Sequence, residues 1–267
     1  MMNRAVILAA GRGTRMQAPD PAVELSPAQA AAATAGHKML VPIHGRPYIA
    51  YVLHELAEAG YAHVCLVVGA DDDAVRSAVL QVEPRRLHIE FAVQPEPLGG
   101  ADAVLAAEPV VGCEPFALIN ADNLYPAPVL ARLRELDGPG LAAFERQTLV
   151  RMSNIPAARV ASFALIEERD GLLTGIVEKP ETALVRRRPD ARVSMTCWRF
   201  GPAIFDACRD VEPSERGELE LPDAVALALE RGERFRVLPV AAGVLDLSRR
   251  ADIPAVERLL TGKEPRP

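Results

Sequence analysis

The sequence predicts a doubly wound α/β fold, and three observations carry that expectation. The first is a series of short, continuous apolar runs, such as Ala5-Val6-Ile7-Leu8-Ala9-Ala10 and Val64-Cys65-Leu66-Val67-Val68, each ended by glycine. Runs without in–out alternation suit strands buried on both faces, as parallel strands are. The second is that stretches with apolar residues at helical spacing separate these runs. The third is a change of pattern from about Gly140, after which turn-flanked segments point to antiparallel pairing.

In chain order, Ala5 to Ala10 reads as a strand that feeds the turn Gly11-Arg12-Gly13. Tyr48 to Ala59 places Ile49, Val52, Leu53 and Leu56 at helical spacing, and Gly60 stops it. His63 to Gly69 is the second buried strand, Asp71 to Val82 a helix, and Ile89 to Val93 the third strand. Ala101 to Ala107 suggests a helix before the strand Pro115 to Asn120. Beyond Gly140, Val160 to Glu167 and Leu172 to Val177 flank Arg169-Asp170-Gly171, the turn of a hairpin. Met195 to Phe200 is a further strand, Leu219 to Leu229 a helix, Arg234 to Val240 and Gly243 to Leu247 short strands, and Ile253 to Leu260 a closing helix. The expected architecture is a Rossmann-like mixed sheet with helices on both faces and an antiparallel insertion packed over its end. Residues 1–267 read as a single domain, with halves at 1–139 and 140–267. Gln17 to His37, rich in proline and alanine, is expected to be a long mobile loop or lid that carries a short helix.

Composition narrows the function classes. Of 267 residues, 49% are hydrophobic and 25% charged, as in a soluble globular protein, and aromatics are only 4%, so aliphatic residues must fill the core. The net charge of −6 and the lack of a sustained basic run beyond Arg186-Arg187-Arg188 argue against a nucleic-acid partner. The isolated Cys65, Cys113, Cys197 and Cys208 fit neither a zinc site nor a disulfide framework. No stretch approaches the roughly 20 apolar residues that span a bilayer, and the N-terminal apolar run is too short for a signal peptide, so the expected location is the cytoplasm.

The chemistry begins at Leu8 to Met16, LAAGRGTRM. Glycines 11 and 13 directly after a strand let backbone N–H groups approach phosphate oxygens. The run lacks the third glycine of a dinucleotide fingerprint and the Gly-Lys-Ser/Thr of a P-loop, but Arg12 and Arg15 put fixed cations inside the turn. With the downstream segment His37-Lys38-Met39-Leu40-Val41-Pro42-Ile43-His44-Gly45-Arg46-Pro47, it resembles the sugar-phosphate nucleotidyltransferase family, and the resemblance extends over nearly the whole chain. Two departures stand out: His37 replaces the proline that usually precedes the lysine, and the gap from Arg15 to Lys38 is long.

The resemblance implies that Leu8, Ala10, Gly11, Gly13 and Thr14 bind the nucleotide, and that Arg15 and Lys38 are catalytic, gripping the triphosphate as the α-phosphate is attacked. Gln94 to Val104 is similar to the family's base-reading segment. It implies a glutamine amide, Gln94, against the base edge and Gly99 as room for main-chain contact, with Gly100 where the family has threonine. Asp122, at the end of a predicted strand, is implied as a nucleotide and metal ligand, and Asp246 as the second metal ligand. Two carboxylates with phosphate oxygens and water suit Mg²⁺. Ile176-Val177-Glu178-Lys179-Pro180 implies that Lys179 holds the sugar phosphate and Glu178 the sugar hydroxyls, which makes 1–139 the nucleotide half and 140–267 the sugar half. Arg216 to Asp223 is close to a segment of the thymidylyl- and uridylyl-type members, with an expected structural role.

The implied reaction transfers a nucleoside monophosphate from a nucleoside triphosphate to a sugar 1-phosphate and releases pyrophosphate. No general base is required, because the attacking phosphate is already ionised; relief of anion–anion repulsion and in-line approach are. No acyltransferase domain is expected after Asp246. Two alternatives stay open: a cytidylyltransferase acting on phosphocholine or another alcohol phosphate, and a non-catalytic nucleotide-sensing subunit. Neither the sugar, the base nor a homo-oligomeric state is decided by the sequence.

Overall fold

The structure, a computed structural model, describes residues 2–267. In chain order the strands are β1 (Arg4–Leu8), β2 (Pro42–Ile43), β3 (Arg46–Pro47), β4 (His63–Gly69), β5 (His88–Gln94), β6 (Phe116–Asn120), β7 (Asn123–Leu124), β8 (Gly140–Phe144), β9 (Leu165–Arg169), β10 (Leu172–Val177), β11 (Val193–Phe200), β12 (Arg236–Val240) and β13 (Leu245–Asp246). Nine of them form one sheet in the order β5-β4-β1-β6-β11-β8-β12-β10-β9. β5, β4, β1 and β6 are mutually parallel, as their unbroken apolar runs require.

The chain runs from β1 outward to β4 and β5, then returns to place β6 on the other side of β1. This reversal opens a crevice beyond the carboxyl ends of β1 and β6, where doubly wound sheets bind ligands. The alternation along β1 shows why helices cover both faces. Ala5 and Ile7 belong to one core with helix Tyr48–Glu58, while Val6 belongs to the other with helices Gly100–Val111, Ala203–Asp210 and Leu221–Glu230. Each fully buried Val, Leu, Ile or Phe contributes about 1.5–3 kcal/mol. Few as they are, the aromatics concentrate: Phe116, Trp198, Phe200, Phe205 and Phe235 pack in one cluster of the second core.

The second half differs from expectation in where it lies. Its strands join the same sheet edge to edge, with β11 antiparallel to both β6 and β8 and β12 parallel to β8, instead of lying over the sheet's end. The buried, uninterrupted Gly140–Phe144 run makes β8 a central strand, and the sheet needed that strand to continue. The β9–β10 hairpin forms around Asp170 and Gly171, whose φ values of 53° and 74° suit the tight Asp-Gly turn. Its first strand starts at Leu165, not Val160, because Ala157–Val160 is a helical turn.

Gln17 to His37 is also more structured than a mobile lid. Pro27–Ala35 is a helix, started by a reciprocal Ser26–Gln29 capping box and ended by Gly36 at φ 79°. Gln29 Nε2 ties it to Pro42 O and Glu257 Oε1, at 3.1 and 2.8 Å, and Arg250 reaches Thr34 Oγ1 at 3.0 Å.

Candidate active site

The crevice between β1 and β6 holds a cavity of about 680 Å³. Leu8, Ala10, Gly11, Arg12, Thr14, Lys38, Gln94, Gly99 and Asp122 line it, so most of the expected nucleotide residues come together. Gly13 acts from behind the wall. Its φ is 63°, and a Cβ there would lie 2.0 Å from Gly36 O, so the turn closes against the end of helix Pro27–Ala35 only because both residues lack side chains. The inserted segment therefore braces the glycine turn and leads directly into Lys38, and none of residues 17–37 lines this cavity.

On the opposite wall, Gln94 is buried, and its Nε2 donates to Gly99 O at 3.1 Å and Asp102 Oδ2 at 2.7 Å. The loop thus holds the amide nitrogen and leaves the oxygen as the group available to a base. Gly99 has φ 129°, and a Cβ on it would come within 2.4 Å of Leu219 O. Leu219 N donates to Leu98 O and Ala101 N to Leu219 O, at 2.7 and 2.9 Å. Residues 214–222 therefore form a partition: Arg216, Gly217 and Glu218 face the first cavity, while Glu220, Leu221 and Pro222 face a second.

That second cavity, about 340 Å³, shares Leu8, Gly100, Asn120 and Asp122 with the first. Arg15 lines it, so the two residues expected to be catalytic stand on different sides of the shared wall, Lys38 in one cavity and Arg15 in the other. Lys38 Nζ lies 2.9 Å from Asp122 Oδ2. The short β7–β13 ladder sets Asp246 opposite Asn123, and Leu247 N donates to Asp122 O at 2.9 Å, which brings the two aspartates to one cavity.

Asp246 is held by its main chain. Asn154 Nδ2 donates to Asp246 O at 2.7 Å, and Asp246 N donates to Asn154 Oδ1 at 2.9 Å. Its side chain is buried, and Oδ1 has no hydrogen-bond partner. Burial first, then the charge of Asp122, raises its carboxyl above the ordinary value, with Arg159 opposing. Arg159 Nη1 lies 3.9 Å from Asp246 Oδ1, while its two Nη atoms donate to the Asp252 carboxylate at 3.0 Å each. A buried carboxylate with an orphaned oxygen beside a second carboxylate fits a cation. Among the described residues there is no cluster of three or more His, Cys, Asp or Glu, so phosphate oxygens and water would complete the shell of such an ion.

The expected sugar-phosphate pair is split. Glu178 lines the second cavity from an exposed position, and partial desolvation by the surrounding wall raises its carboxyl, with Lys179 opposing. Lys179 lies outside the wall, exposed, in the left-handed region at φ 44°. Trp198 reaches the cavity but is 3% exposed, stacked on Phe200 and edge-on to Phe235, so it is chiefly core. Arg159, Asn154 and Asp252 escaped the sequence reading, since each is an isolated polar residue in an unremarkable context.

A family model described as nucleotidyl transferase matches residues 4–241. A glucose-1-phosphate thymidylyltransferase of Streptomyces griseus is 30% identical over 266 residues, 98% of this chain and 68% of that protein. A UTP–glucose-1-phosphate uridylyltransferase of Haloferax volcanii is 29% identical over 262 residues, 96% of each chain. Among solved structures, a UDP-glucose pyrophosphorylase complexed with UDP-glucose superposes with a TM-score of 0.74 at 20% identity, covering 99% of this chain and 100% of that one. Among the described residues no helix is long and apolar enough to cross a membrane.

Proposed function

Because the chain belongs to the nucleotidyl transferase family, we propose that it transfers a nucleoside monophosphate from a nucleoside triphosphate to a sugar 1-phosphate, giving a nucleotide sugar and pyrophosphate. The observation that carries this reading is the pair of cavities that meet at Asp122. Transfer between two anions needs two adjacent compartments with cationic relief at their junction, and Lys38 and Arg15 stand on either side of it.

In this reading the glycine turn cradles the triphosphate with its N–H groups, and Gln94 and Gly99 hold the base. Lys38 and Arg15 offset the charge that develops at the α-phosphate. Asp122 and Asp246 would hold Mg²⁺, and the orphaned Asp246 Oδ1 supports this. When bound, the ion supplies charge neutralisation for the phosphate oxygens and the departing pyrophosphate. Glu178 receives the sugar hydroxyls, and Lys179, exposed outside the wall, would swing inward to hold the acceptor phosphate. Arg159, which also lines the second cavity, offsets the charge of Asp246 from 3.9 Å. Residues 1–139 act as the nucleotide half and 140–267 as the sugar half of one domain, although residues 216–218 cross over to wall the nucleotide cavity. A cytoplasmic location and a role in nucleotide-sugar biosynthesis belong to the same reading.

The test is a pyrophosphate-release screen over sugar 1-phosphates and nucleoside triphosphates, with and without excess EDTA. At least one pair should release pyrophosphate only when metal is present. Release from no pair, or full turnover in EDTA, would sink the reading or its metal requirement respectively.

A further inference from the structure

Thr196 is a β-branched residue at φ 58°, where branched L-residues are outliers. It sits in a break of the β11–β8 ladder: Ser194 stands opposite Ala143 and Trp198 opposite Leu141, so Met195, Thr196 and Cys197 face Ala142 alone. Such bulges re-aim side chains and collect beside active sites. This one is clamped. The buried Tyr125 hydroxyl donates to Met195 O and lies 3.4 Å from Thr196 O, and Thr196 N donates to Ser194 Oγ at 3.3 Å. Tyr125 Oη also lies 3.2 Å from Asn123 Oδ1, which ties the bulge to the segment that carries Asp122.

A strained conformation held from several directions persists where the surroundings over-determine it, and that pattern marks functional positions. Thr196 lines the second cavity, and its Oγ1 makes no hydrogen bond to any described residue. The wall mixes apolar Phe163, Met195 and Leu221 with polar Asn120, Ser162, Ser194 and Glu220, and Thr196 stands among them on strained backbone. We propose that Thr196 is a specificity-determining residue whose hydroxyl hydrogen-bonds a ring hydroxyl of the sugar 1-phosphate, so that the cavity prefers the hydroxylated sugar to its deoxygenated analogue. This rests on the nucleotidyl-transfer reading. A site built around a polar partner rejects a substrate that lacks it far more strongly than an apolar pocket rejects an added group.

The experiment uses the sugar 1-phosphate that the wild type uses best, together with its mono-deoxy analogues, in steady-state pyrophosphate release. One analogue should be used markedly less well by the wild type. Thr196→Val keeps the shape and removes the hydroxyl; it should lower kcat/KM for the parent sugar by about 10–100-fold, to the level of that analogue, with the nucleotide KM within about twofold of wild type. Thr196→Gly should lose the same acceptor preference while its Tm rises, because glycine accepts positive φ without strain. The inference is overturned if Thr196→Val discriminates the parent from every deoxy analogue as the wild type does, or if Thr196→Gly lowers Tm and spares acceptor use. A wild type that transfers to no acceptor would instead overturn the parent reading, and this inference with it.

Discussion

Arg159→Met removes one cation from a buried group of three charges, and the structure sets the size of the effect. The side chains of Arg159, Asp246 and Asp252 are 9%, 7% and 8% exposed, so solvent screens them little. Two 3.0 Å bonds to Asp252 are lost, and Asp246 Oδ1 loses its nearby cation at 3.9 Å. Removing one partner of a buried pair typically costs about 3–5 kcal/mol, because an uncompensated charge remains. The lower end applies here, since Asp252 keeps hydrogen bonds from Ser248 N and Arg249 N, each at 2.9 Å. At about 3 kcal/mol, and about 2–4 °C per kcal/mol for a chain of this size, Tm should fall by about 6–12 °C. Urea denaturation followed by circular dichroism measures the free energy independently. Combining Arg159→Met with Asp252→Asn should cost less than the sum of the single changes by about 1 kcal/mol or more, because the second change removes the stranded charge. A single variant within about 1 kcal/mol of wild type, or strict additivity, would refute the reasoning.

Two further outcomes follow from the same geometry. Gly13→Ala forces a methyl to within 2.0 Å of Gly36 O at a residue with φ 63°, so the turn must open. Nucleotide affinity measured by calorimetry should fall more than about tenfold, and the unfolding free energy should fall by at least about 1–2 kcal/mol, the cost of left-handed backbone for alanine, since Gly36 must shift as well. The Glu178 carboxyl is raised above its ordinary 4.5, so the folded state holds this proton more tightly than the unfolded one. Its contribution to stability is therefore present below 4.5 and lost as pH rises through the raised folded value. The acceptor KM should show an inflection in that window above 4.5 that disappears in Glu178→Gln; an unchanged profile in the variant would assign the inflection elsewhere.

Much of the nucleotide side is legible in the sequence because its determinants are local. Ala5 to Ala10 followed by glycines states both a buried strand and the turn that lines the first cavity, and His63 to Gly69 is a strand to the residue. The acceptor side is less legible because long-range pairing builds it. Asp246 becomes a site residue through the β7–β13 ladder and the Asn154 clamp, and Arg159 through partners 87 and 93 positions away (246 − 159 and 252 − 159). The sequence predicts a short helix within Gln17 to His37 without locating it, because its low-complexity alanines have no periodicity, although Ser26 and Gln29 spell the capping box that starts it. Lys179 shows the reverse case: a motif names the residue, but the left-handed backbone at φ 44° turns it out of the cavity wall that Glu178 joins.

The central claim is that nucleotidyl transfer takes place where the two cavities meet, at Asp122. It is tested most directly by following an α-³²P-labelled nucleoside triphosphate with a sugar 1-phosphate and Mg²⁺. Label should appear in a nucleotide sugar, formed in equal amount with pyrophosphate, dependent on the acceptor, and reduced by orders of magnitude in Asp122→Asn while the circular dichroism spectrum is kept. Label that appears only as nucleoside monophosphate regardless of acceptor, or transfer undiminished in Asp122→Asn, would contradict it.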